Sequence, residues 1–269
     1  TINAMAVALQ SPLGPLLDPT GGRSDLESGT LRVTHSGAFA DDPLRLLRAV
    51  RMQAAFGLRM TPQTRALLRR DLPLIERVSS ERVRDEFFQI LSLPSAVAAL
   101  REMVESDMMA CILPSDPTRA DAALAWLVVL EGQLGSWLSP ERSALAAGEG
   151  PLLRALRPFE ERLIADWQAP LAGNRPRGLL LKLAALLGSP EDARVAANAL
   201  KLASREQGHV RVTWQAIDAS VWSRVRRLDR LAMHRYCRAF GAGGVDGAVL
   251  AAARPGAAAG SMNMAVQLL

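Results

Sequence analysis

Lysine, cysteine and histidine are all scarce in this 269-residue chain. Lysine occurs only at positions 182 and 201, so the net charge of +5 and the pI near 10.1 are carried almost entirely by arginine. A basic balance favours a polyanionic partner, but genomic base bias also enriches Arg and Ala, so charge alone supports nucleic acid only weakly. Cys111 and Cys237 lie far apart without metal-type spacing, which makes a reducing compartment the default. His35, His209 and His234 are isolated from one another in the sequence. No charged-then-apolar leader opens the chain. Its longest apolar run, residues 179–187, is interrupted by Lys182 and is too short to span a bilayer. The expectation is a soluble cytoplasmic protein with no membrane partner. Strand signals are sparse after Pro94, and no fixed-period repeat stands out.

What is present is apolar and helical. At 49% hydrophobic and 22% charged, the chain can bury a sizeable core as one large or several small helical domains. Its most informative stretch is Asp41-Asp42-Pro43-Leu44-Arg45-Leu46-Leu47-Arg48-Ala49-Val50-Arg51. Asp42 has the chemistry of an N-cap and Pro43 that of a first helical residue. Helical spacing gathers Leu46, Leu47, Val50 and Ala54 on one arc and fans Arg45, Arg48 and Arg51 across the other.

An Asp accepts hydrogen bonds and an Arg only donates them, so side by side they form an acceptor–donor edge. Cytosine and adenine each offer an amine beside a ring-nitrogen acceptor and fit that edge. Uracil and guanine present the opposite order and would leave buried polar groups unpaired. Further arginines along the helix suit phosphate. The same residues also fit a capped helix with a solvated arginine face, and spacing alone does not separate the two.

The whole string resembles the E-D-x-x-R base-recognition motif of the class II tRNA nucleotidyltransferase and bacterial poly(A) polymerase family. Asp42, Arg45, Arg48 and Arg51 match it, while Asp41 stands where Glu is usual and Met52 where Phe is usual. The resemblance implies that these four matching residues bind nucleotide. Other segments extend it. Ile2-Asn3-Ala4-Met5-Ala6 resembles the end of the family's R-R-D-F-T-I-N-A-M-A motif. Residues 18–26 carry its D-P-x-G-G-x-x-D-L, where Gly21, Gly22 and Asp25 form a hinge; glycines there permit positive φ. Residues 79–87 resemble S-x-E-R-I-R-D-E-L, a brace for the base-reading helix, so Glu81, Arg84 and Glu86 read as structural.

Start and stop signals subdivide the chain. Gly57 is a plausible end of the base-reading helix, Thr61-Pro62 restarts one, and Ser79 or Ser80 caps a third. In that third helix Glu81 with Arg84, or Arg82 with Glu86, are placed for intrahelical pairs. Ser95, Thr118, Ser139-Pro140-Glu141 and Ser189-Pro190-Glu191 open later helices, and Ser204 with Gln207 has capping-box spacing. Trp126, Trp137, Trp167, Trp214 and Trp222 read as packing residues. The expected fold is mainly α, a superhelical neck, body and tail preceded by a small α/β remnant of a nucleotidyltransferase head. The divisions are 1–34 head remnant and hinge, 35–93 neck, 94–203 body and 204–269 tail.

For activity, the resemblance implies template-independent addition of CMP or AMP to RNA 3′ ends, with CCA addition foremost. ATP and CTP are then the substrates, and the partner is a tRNA or other RNA 3′ end. In the family, Mg²⁺ held by a D-x-D pair assists the attack. Nothing in this chain matches that pair, and Asp18 and Asp25 sit at a turn, so no catalytic or metal-binding residue is assigned. The expectation is a piece whose head is missing or resides on a separate chain, silent on its own. The reading from another class is a non-catalytic helical RNA-binding or scaffolding module. Some relatives carry a metal-binding His-Asp after L-L-K-L-A-A-L-L, where this chain has Gly188-Ser189. No phosphohydrolase activity is therefore expected, and release of phosphate from a 2′,3′-cyclic nucleotide by the purified chain would overturn that.

Overall fold

The computed structural model describes residues 4–9, 14–113, 117–138, 150–172, 175–217, 230–257 and 259–269. It is mainly α, as expected. Two short antiparallel strands, β1 (Ala6–Val7) and β2 (Leu16–Leu17), lead to α1 (Gly22–Glu27) and β3 (Thr30–Leu31). After α2 (Ala38–Asp41) and α3 (Arg45–Phe56), β4 (Arg59–Met60) returns to pair in parallel with β3, Leu31 opposite Met60. This two-residue ladder closes the α2–α3 excursion on itself. Gly57, at φ 62°, supplies the left-handed turn that lets the chain leave α3 and enter β4.

Next come α4 (Pro62–Asp71), α5 (Ser80–Leu91), α6 (Val97–Glu105), α7 (Met108–Ile112) and α8 (Ala120–Leu138). They are followed by α9 (Pro151–Leu156), α10 (Glu160–Gln168), α11 (Arg177–Ala185) and α12 (Pro190–Ala199). The last three are α13 (Ser204–Ile217), α14 (Arg230–Ala252) and α15 (Ala259–Gln267). Every residue of α11 is buried, and α8, α10, α13 and α5 pack around it. No helix among the described residues is long and apolar enough to cross a membrane. Trp126, Trp137, Trp167 and Trp214 are buried. Trp222 and the helix start at Ser139 lie outside the described residues.

Several start signals work as expected. Thr61 accepts from Thr64 N–H and Ser189 from Asp192 N–H, each with proline next in line. Others are overridden by distant partners. The α6 helix begins at Val97 rather than at Ser95; the N–H of Ala96 is taken by Glu131 of α8, to which the Ser95 hydroxyl also donates. At α13 the expected capping box is not made: Glu206 reaches back to Ala203 N–H at 2.9 Å, and Gln207 donates to Leu202 O instead.

Charge is also drawn inside. Lys182, which breaks the apolar run in the sequence, is fully buried on α11. Its ammonium meets Glu131 at 2.8 Å and donates to the carbonyls of Leu91 and Leu93, at the end of α5 and just beyond it. One ion pair thus satisfies orphan groups at the end of α5 and the start of α6.

His209 is not isolated. Its Nε2 lies 2.7 Å from Oδ2 of Asp246, on α14, and the ionised carboxylate can only accept, so Nε2 carries the proton. Arg177 grips both oxygens of Asp246 at 2.9 and 2.8 Å, and Trp167 Nε1–H donates at 2.9 Å. Burial alone would push the Asp246 carboxyl upward, but the His209 hydrogen bond and the Arg177 guanidinium together outweigh it and hold it down to about 2.

A depressed carboxyl contributes stability that is complete above its unfolded value and is lost as pH falls through the folded one. The expected outcome is an unfolding free energy that falls by about 2 kcal/mol between pH 4 and pH 2 from this group. Urea titrations of Asp246→Asn across that window check it: the variant starts less stable and loses that part of the slope.

Candidate nucleotide-binding site

The arginine helix starts later than its sequence suggests. Asp42 is extended (φ −147°, ψ 96°), Pro43 and Leu44 form a turn, and α3 begins at Arg45, whose N–H donates to Asp42 O at 3.0 Å. The Asp42 side chain makes no capping bond. It accepts instead from Arg82 Nη2 of α5 at 3.2 Å. A carboxylate that close to a guanidinium gains more from a charge-assisted bond than from a cap. Behind this turn Leu46, Leu47 and Val50 are completely buried, so the apolar arc is where helical spacing puts it.

The three arginines have different surroundings. Arg45 is exposed and anchored through Nη1 to Ala38 O at 3.0 Å. Arg48 is half-exposed, with Nε 3.4 Å from Glu86 Oε2. Arg51 is largely covered and bonds Glu86 Oε1 at 2.6 Å. The structure therefore corrects the picture of one open arginine face: Arg51 is committed to a buried carboxylate. Arg82 and Glu86, one turn apart on α5, both turn to α3 rather than to each other. Glu81 is exposed, and Arg84 binds Asp85 and the carbonyl of Lys201, so the intrahelical pairs are not made. Further along, Gln53 and Arg65 both donate to Glu102 of α6.

In front of α3 lies a cleft of about 360 Å³. Arg45, Arg48, Ala49 and Met52 form one wall, and Leu31 to Thr34 form the opposite one. A neighbouring hollow of about 390 Å³, reaching Thr20, His35 and Gln63, shares Arg32, Val33 and Thr34 with it. Asp42 is not part of the lining and stands with its carboxylate turned to Arg82. Among the described contacts, the side chains of Asp42 and Arg45 do not bond each other.

The hinge residues hold the opposite wall. Asp18 accepts from Gly22 and Arg23 N–H at 2.7 and 2.9 Å, capping α1, and the Arg23 bond above all holds its carboxyl below the usual range. Gly21 takes a positive φ of 72°, whereas Gly22 opens α1 with ordinary helical geometry, so one glycine makes the turn, not two. Asp25 is buried and binds the Arg32 guanidinium, Nε at 3.2 Å. That pair ends in the cleft, because Arg32 lines it. Sequence reasoning missed Arg32, Arg82 and Glu102. Only the spacing of Arg82 to Glu86 hinted at a shared face.

Among the described residues no three His, Cys, Asp or Glu side chains stand together so as to hold a metal ion. Asp18 and Asp25 are occupied as a cap and an Arg32 partner. The described residues do not fit the family's divalent ions.

Fold and cleft set a basic helix against a hinge turn across a ligand-sized gap. Residues 57–115 match the family model described as "Probable RNA and SrmB- binding site of polymerase A". Over 157 residues the chain is 38% identical to a CC-adding tRNA nucleotidyltransferase of Geobacter sulfurreducens, covering 58% of this chain and 35% of that one. Over 119 residues it is 39% identical to the multifunctional CCA protein of Methylococcus capsulatus, covering 42% and 27%. A Thermotoga maritima CCA-adding enzyme solved with tRNA shares the fold, with a TM-score of 0.64 at 21% identity over 100% of this chain and 58% of that one. Over part of its length the chain is thus similar to tRNA nucleotidyltransferases that add C or CCA. It spans about a third or less of the length of these two curated relatives.

Glu86 is the test of this geometry. Glu86→Gln removes the charge that holds two guanidinium groups and leaves Arg51 covered without a counter-ion. The expected loss is about 3 kcal/mol, measured by urea denaturation, whereas Glu81→Gln at an exposed position is expected to change stability by less than about 0.5 kcal/mol.

Proposed function

We propose that this chain provides nucleobase selection and RNA holding for a cytoplasmic tRNA nucleotidyltransferase that adds CMP and AMP to RNA 3′ ends, with CCA addition as the reaction. The observation that carries this reading is the placement of Arg45 and Arg48 along one wall of the cleft, with the Asp42 carboxylate at the head of the same helix. Arg45 uses one nitrogen on Ala38 O, and its other donors remain for a base. Asp42 is held by Arg82 in a half-exposed ion pair, which is worth about 0–1 kcal/mol, so an incoming amine can displace it at little cost. The acceptor–donor edge is then completed by the ligand. Arg48 has donors beyond its long contact to Glu86 and serves phosphate, while Arg51 braces.

The transfer step itself is not assigned to these residues. The metal-binding carboxylates belong to a catalytic head outside them, whether on the same chain or on another. ATP and CTP are the substrates that enter the cleft, and a tRNA 3′ end is the acceptor held by the helices beyond. The CC-adding and multifunctional CCA relatives support this assignment.

Calorimetry of the purified chain with the four nucleoside triphosphates tests it. ATP and CTP are expected to bind weakly and UTP and GTP more weakly still, by about tenfold. Arg45→Ala is expected to remove the preference while leaving the thermal unfolding midpoint in place. Equal affinity for all four nucleotides would overturn the reading. A variant that only loses stability would favour a scaffold.

A further inference from the structure

A second cleft lies in the body, lined by none of the residues that line the neck cleft. It has a volume of about 430 Å³ and opens where the first turns of α8, the chain just past α11, the α13 helix and the end of α14 meet. Ala122, Ala123 and Ala125 leave a shallow apolar floor, because methyl groups stand where α8 could carry long side chains. Trp126 and Trp214 form the wall, their rings edge to face with centroids 5.7 Å apart. Each indole is pinned through Nε1–H, to Leu250 O at 2.8 Å and Ala184 O at 3.0 Å, so the wall is rigid.

The rim is cationic. The exposed Arg254 guanidinium lies 5.5 Å over the Trp126 ring and has no acidic partner among the described residues. Stacking uses the face of a guanidinium and leaves its in-plane N–H donors for an anion. Arg119 stands on the same rim, 3.5 Å from Asp192, whose carboxylate also takes Gly188 N–H from behind. Gly188 matters to this arrangement. A Cβ there would lie 2.5 Å from Arg119 Nη1, so the missing side chain is what gives Arg119 its place. Among the described residues no carboxylate lines the cleft itself.

From this geometry we infer that the body cleft binds one nucleoside monophosphate unit. Its flat base lies on the alanine floor against the indole wall, and its phosphate is held by Arg254 and Arg119. A small apolar recess with a few convergent donors is the general form of a small-ligand site. A rigid aromatic wall beside arginine suits a base joined to a phosphate. The volume admits one nucleotide and excludes a duplex. The unit comes either as a free nucleotide or as an unpaired residue of an RNA strand.

The experiment uses the purified full chain in an Arg45→Ala, Arg48→Ala background, which removes both guanidinium groups from the wall of the neck cleft and keeps the two readings separable. Probes are 5′-AMP and a single-stranded oligoadenylate, followed by calorimetry and tryptophan quenching. At least one probe is expected to bind, and Arg254→Gln is expected to weaken it about tenfold. Ala122→Phe, at an exposed position, fills the recess without removing a charge and is expected to do the same. Binding of AMP itself identifies the free nucleotide as the source, and binding of the oligonucleotide alone identifies RNA. The inference is overturned if neither probe binds, if neither substitution alters affinity, or if inorganic phosphate competes as well as AMP.

Discussion

A single buried carboxylate organises the part of the molecule around the arginine-lined cleft. Glu86 is almost completely covered, and a covered carboxylate must be paired or it loses its charge. Arg48 and Arg51 meet it from α3, and that contact decides how α3 sits against α5. With these two guanidinium groups drawn backward by different amounts, Arg45 is the arginine left facing outward at full reach. The cleft exists because α5 holds the arginine helix at one angle to the hinge, where Asp25 holds Arg32 on the far wall.

The body uses the same device in deeper settings. Lys182 with Glu131, and Asp246 with Arg177 and His209, place ionised groups among helices that are otherwise alanine and leucine. Apolar helices of this kind slide past one another at small cost. A buried charge tolerates only the register in which its partner is present, since a slip would strand it at a penalty of several kcal/mol. These pairs fasten α5, α6, α8 and α11 at one level, and α10, α11, α13 and α14 at another.

Much of the element plan was legible. Thr61-Pro62, Ser189-Pro190 and Gly57 act as start and stop signals because their partners are within four residues. Asp42 and Ser95 behaved otherwise because a longer-range partner, Arg82 or Glu131, offered a stronger bond than the local one, and at α13 the nearer carboxylate of Glu206, held by Arg175, took the N–H in place of the expected pair. His209 looked solitary because its partner is thirty-seven residues away, on another helix.

The sequence by itself determined the helical class, the apolar arc behind Arg45 and the family resemblance, because periodicity and contiguous motifs are local properties of a chain. Tertiary structure alone decided which arginines stay available, since Arg48, Arg51 and Arg45 are chemically identical until α5 brings one acid within reach of two of them. It also decided that Lys182 is an interior tie rather than a surface charge, and that Trp126 and Arg254 share a cleft. Those outcomes depend on distances between segments far apart in the chain, which no local pattern encodes.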